Sequence, residues 1–249
     1  MTDTPDAPAL PPADSGSFFG NLFNLFFEPW TTFEKIFVSP RVWLAIILQT
    51  VLAVGFSSVW LAKMDPKEFM RQQMEQNPRI QQMPADQVDR IVDMQANAMK
   101  TWGRIGPVVA PVLLDLIIAG FFLFVFRFFV AADVTFSQSL ATVAWSFLVV
   151  GLVQTPILLA VFSIKDDWNL DPNEVIQANL TLFFDRADLP RWLWSLLGSF
   201  DLFSFWPVFL MATGFAVAAK RALSTGLWSV GVPWACFVIV KMVFRLIIG

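Results

Sequence analysis

Residues 42–62 read VWLAIILQTVLAVGFSSVWLA, with no charged side chain among them. Their polar members are Gln49, Thr50, Ser57 and Ser58. Wound as a helix at about 1.5 Å per residue, the run is about 30 Å long, the thickness of a bilayer's hydrocarbon core. Lipid offers no hydrogen bonds, so a spanning segment must bond its backbone internally, and a helix does so within one segment. This stretch predicts a transmembrane helix, with Ser39 as N-cap and Pro40 in the first helical turn.

The rest of the chain agrees with that class. Of 249 residues, 56% are hydrophobic and 15% charged, against about 25% charged in a soluble domain. Mean hydropathy is +0.61. Four further apolar stretches predict spans at about 105–130, 136–164, 202–219 and 227–248. Gln154-Thr155-Pro156 predicts a bend or break in the third. The predicted fold is all-α: a polytopic bundle of five transmembrane helices.

Residues 17–38 place Asn21, Asn24, Glu28, Thr31 and Lys35 three or four apart among phenylalanines. That is the pattern of an amphipathic helix lying in the membrane interface, kinked at Pro29. Thr31 and Glu34 are spaced as a capping box for its second half. Residues 1–16 carry four prolines and three aspartates and no basic residue. They predict a disordered tail rather than a cleaved signal, which needs a basic start and an apolar run.

Residues 63–104 form a polar insert with seven basic and six acidic residues. Asn77-Pro78 and Met83-Pro84 divide it into a helical hairpin. One side carries Met70, Met74, Val88, Ile91, Met99 and Trp102, which predicts either packing on the bundle or a surface for a protein partner. Residues 165–188 are an acidic loop with six carboxylates.

Function classes fall away by composition. The chain has no His and no Tyr, and its one cysteine is Cys236. Histidine-based catalysis and metal ligation are excluded, and no phosphate-binding glycine loop is present. A net charge of −3 argues against nucleic acid. No catalytic residue, metal or cofactor is predicted.

The polar residues inside apolar runs are the candidate site: Asp115, Gln154 and Asp201. A carboxylate at mid-membrane depth marks a functional hypothesis, here proton relay or cation binding in a small transporter or channel. Pro111 opens an alternative for Asp115, a place in the first turn of a helix beginning there. Asp201 reads as an N-cap for the fourth span or as an ion-pair partner of Arg127 or Lys241, and Lys241 and Arg245 as snorkelling cations. Small residues four apart (Ala53/Ser57, Ala212/Ala216, Gly214/Ala218, Gly231/Ala235) allow close helix contact and a homo-oligomer.

Several landmarks resemble a known family. Glu28-Pro29-Trp30-Thr31-Thr32-Phe33-Glu34-Lys35-Ile36, followed by Pro40 and Trp43, resembles the opening of bacterial Yip1-domain membrane proteins. Residues 69–75, FMRQQME, and 136–141, FSQSLA, resemble their first loop and third span. Residues 197–206, LGSFDLFSFW, followed by 214–218, GFAVA, carry the most specific likeness. Ala131-Ala132-Asp133 and Ala144-Trp145 depart from the family's pattern. The resemblance implies five membrane helices, a cytosolic N-terminus and a bacterial inner-membrane location; the amphipathic stripe of 63–104 adds the expectation of a non-enzymatic membrane organiser or adaptor. Eukaryotic relatives act in vesicle trafficking and bind small GTPases. The distribution of positive charge points the other way on sidedness. An inside N-terminus leaves five basic residues on the cytoplasmic side, and an outside one leaves twelve.

Overall fold

The computed structural model describes residues 15–75, 80, 82–176, 180–184 and 189–248. Residues 1–14 of the predicted tail and the Asn77-Pro78 break lie outside them, as does part of the acidic loop. Ten α-helices are described: α1 (Phe18–Asn24), α2 (Pro29–Val38), α3 (Val42–Lys63), α4 (Pro66–Glu75), α5 (Ala85–Phe128), α6 (Phe136–Lys165), α7 (Pro172–Val175), α8 (Arg191–Leu197), α9 (Leu202–Ala218) and α10 (Leu223–Ile248). A short 3-10 turn covers Leu180–Phe183.

Four helices are long and apolar enough to cross a membrane: α3, α5, α6 and α10. The fourth predicted span, α9, is apolar but has only 17 residues. It is nevertheless the most enclosed helix. Leu210, Met211, Ala212, Phe215 and Ala216 are all buried, and α9 lies against α2, α6 and α10. Gly226 of α10 makes the last contact possible, because a Cβ there would overlap the carbonyl of Ala212. Gly231 has open space around it, so the Gly231/Ala235 pair mediates no such contact here.

The segment 17–38 divides into two helices, because Pro29 opens α2 rather than kinking a single helix. The Thr31–Glu34 capping box does not form. Glu28 is the N-cap, and the Glu34 carboxylate instead accepts from Trp30 Nε1 at 3.1 Å. α2 buries Thr32, Phe33 and Ile36, and Phe33 meets Gly214 of α9. α1 sets Phe18 against Trp145 of α6, with ring centres 4.6 Å apart. One face of this pair of helices therefore packs on the flank of the bundle, while Phe19, Phe23 and Phe27 remain exposed.

The start of α3 also differs from expectation. Its N-cap is Arg41, in the left-handed region at φ 43°, and Pro40 stays outside. The reason is tertiary: the Pro40 carbonyl accepts from Trp145 Nε1 at 2.8 Å. The hairpin's second arm is not separate from the second span. Together they form α5, 44 residues and about 66 Å long. Pro107 and Pro111 lie inside it, so no helix begins at Pro111. α6 likewise continues through Pro156, so the third span is unbroken.

The bundle has two polar ends. At one gather α1, α2, the turn between α5 and α6, and the turn after α9. At the other lie α4, the first half of α5, α7 and α8. A second apolar cluster forms there from Met64, Phe69, Leu158, Phe162, Trp168 and Val175. We call α4 with the first half of α5 the head.

Candidate functional site

Asp115 is 1% exposed, on the face of α5 that meets α3 and α6. Gln49 of α3 donates from Nε2 to Asp115 Oδ2 at 3.1 Å and to the Ala144 carbonyl of α6 at 2.8 Å. One amide thus joins three helices. Gln49 is seven residues into α3 and Asp115 thirteen residues from the end of α5. Both are well inside their apolar runs.

Asp115, Gln154 and Asp201 do not converge. Gln154 is half-buried, ten residues beyond Ala144 along α6, or about 15 Å. Asp201 caps α9 as expected: its side chain accepts from Ser204 N at 2.9 Å and from the Ser204 hydroxyl. Arg127 donates from Nε to the Val134 carbonyl at 2.8 Å. Lys241 Nζ bonds Ser199 Oγ at 3.1 Å.

Other interior polar groups also join helices in pairs. Ser139 donates to the Ala119 carbonyl at 2.6 Å, tying α6 to α5. Ser57 donates to the Gly103 carbonyl at 2.6 Å, tying α3 to α5. That carbonyl is available because Pro107, four residues on, has no N–H to give it. Sequence reading missed Gln49 and Ser139, and it marked Ser57 for close helix contact without its hydrogen bond. The clue lay in Pro107, which leaves a known carbonyl in need of a donor.

The head uses much of its predicted partner stripe internally. Met74 is buried, and Met70 and Met99 pack on the second cluster. Val88 and Ile91 are half-buried, and Val92 and Ala96 are fully buried. Trp102 stays 67% exposed, and Met94 on the outer side is 65% exposed. Lys67–Asp93 at 2.7 Å and Arg71–Asp89 at 2.9 Å tie α4 to α5. The Asp93 carboxylate, by hydrogen bond first and charge second, holds the Lys67 ammonium above its usual range. Among the described residues no group of three metal-ligating side chains is present.

This arrangement can hold helices in register and can present a charged head. The comparisons with known proteins agree with the landmarks quoted earlier. No curated protein and no solved structure matches the chain. The family model described as the Yip1 domain matches residues 23–244, from the second turn of α1 nearly to the end of α10. With nearly its whole length covered by that match and four apolar helices able to span a bilayer, the chain is a multi-pass membrane protein of the Yip1 domain family.

Proposed function

We propose that this Yip1-family protein is a non-enzymatic membrane organiser, an adaptor that presents the head to a protein partner. The observation that carries this reading is a contrast. Asp115, the buried carboxylate, is bonded by Gln49, which also reaches Ala144 of α6, whereas the outer face of the head leaves Met94 uncovered. A transporter built on Asp115, Gln154 and Asp201 would need them around one cavity, and they lie apart.

In this reading α9 crosses as a fifth span, its 17 residues reaching about 26 Å. The exposed Phe19, Phe23 and Phe27 enter the lipid interface beside the bundle. The N-terminus lies in the cytosol of a bacterium, at the inner membrane, and the head lies on the far side. Supporting that sidedness, the head's basic residues are matched in number by acids and partly paired with them. Lys35, Arg41, Arg127, Lys220 and Arg221 at the other end outnumber Glu28, Glu34 and Asp133.

The test is purification from native membranes in mild detergent, comparing the full chain with its Met94→Asp variant. A near-stoichiometric partner held by the parent and lost from the variant is the expected result. Identical recovery from both, or recovery of the chain alone, would overturn the adaptor reading.

A further inference from the structure

We propose that the groove between α3 and the middle of α5 binds an anionic phospholipid. The groove has a volume of about 440 Å³ and is lined by Val54, Ser58, Leu61, Gly103, Arg104 and Pro107, among others. It opens laterally between two helices that enter the membrane. Val59, Ile105, Val108 and Val109 beside it are exposed apolar side chains, as lipid-facing residues should be.

Its polar groups point to an anion. Ser57 is already committed to the Gly103 carbonyl. Among the described residues, Ser58 and Arg104 have no hydrogen-bond or ionic partner. No acidic residue occurs on α5 between Asp93 and Asp115. Lys100 sits one turn before Arg104 on the same face, and two like charges four apart repel each other unless an anion lies between them.

The depth fits a headgroup. The Ser57–Gly103 bond sets Arg104 level with Ser57, six residues, or about 9 Å, inside the Lys63 end of α3. Side chains on a helix lean toward its N-terminus, which for α5 is the head. Arg104 therefore reaches up from the apolar zone toward the headgroup layer, as snorkelling arginines do. Exposed Trp102 stands at the same boundary. A phosphate diester bonded by Arg104 and the Ser58 hydroxyl would leave its acyl chain to run deeper, along Val54 and Pro107. Basic clefts between membrane helices recognise acidic lipids in this way.

The experiment is native mass spectrometry of the purified full chain titrated with phosphatidylglycerol or phosphatidylcholine. The expected result is tighter retention of phosphatidylglycerol, weakened about fivefold by Arg104→Gln, the effect of one basic residue at a membrane surface. Ser58→Phe, which fills the groove, should remove the bound lipid, and it carries the test if Arg104→Gln fails to fold. Equal retention of the two lipids, or retention unchanged in the variants, would overturn the proposal. Displacement by inorganic phosphate would also overturn it, since the site would then be a phosphate site and not a lipid one.

Discussion

Pro107 shows how a residue that removes one hydrogen bond can create another. In water a helix-interior proline costs about 3 kcal/mol. Here the freed Gly103 carbonyl is taken by Ser57 of the neighbouring helix, so the same residue fastens α3 to α5. The consequence is measurable. Ser57→Ala should cost about 1 kcal/mol, because it strands a part-buried carbonyl. In a Pro107→Ala background the cost should largely vanish, since residue 107 then supplies the helical N–H. A double-mutant cycle on unfolding in detergent reads the coupling directly. Equal costs in the two backgrounds would show that Ser57 does not serve that carbonyl.

Charged residues were the legible part of this scale. Asp115 and Asp201 stand out of apolar runs, and the expected capping role of Asp201 is what the structure shows. Gln49 was not legible. An uncharged amide within 42–62 looks tolerable in lipid, and its significance depends on which residues 66 and 95 positions away face it. Such registers are set by packing between helices and cannot be counted off along one of them.

At the scale of elements, the apolar runs fixed the helices and the prolines misled about their ends. The sequence placed α3 within a residue, because Arg41 and Lys63 flank an uncharged stretch. It treated 63–104 as separate from the next span because that segment is polar, and it expected a bend or break at Pro156. No break occurs at Pro156, and α5 runs from the polar segment into the span; at Pro107 the neighbouring α3 takes the freed carbonyl.

The amphipathic reading of α1 and α2 caught the pattern but not its contacts. α2 docks on α9 through Phe33, which is fully buried, whereas Phe23 of α1 is 65% exposed. Truncating these two phenylalanines should therefore have unequal effects. Phe33→Ala should destabilise the purified protein by about 3 kcal/mol. Phe23→Ala should stay within about 0.5 kcal/mol in detergent. Similar losses from both would mean that α2 is not docked where its packing places it.

At the scale of the whole molecule, the bundle has a closed middle and two unlike ends. Gln49, Ser57 and Ser139 reach across helices, and Trp145 ties α6 to Pro40 just before α3. One end carries the N-terminal helices and short turns, the other the ion-paired head. The membrane class was legible in composition alone. The fifth crossing depends on α9, whose 17 residues fall short of the usual span but whose central position leaves it little else to do. α9 also decides which turns share a side: with α9 crossing, Arg221 lies with Asp133, on the side away from the head.

Sealed membrane vesicles can test this arrangement. With Cys236, the lone cysteine, replaced by Ser, single cysteines would be placed at Gln87 in the head, Asp133 between α5 and α6, and Arg221 after α9. Each would be labelled with a reagent that cannot cross the bilayer. Five crossings and a head on the far face predict that Asp133→Cys and Arg221→Cys react from the cytosolic side and Gln87→Cys from the opposite one. Labelling of Arg221→Cys from the same side as Gln87→Cys would contradict the five-span bundle, and Gln87→Cys reacting from the cytosol would contradict the proposed place of the head.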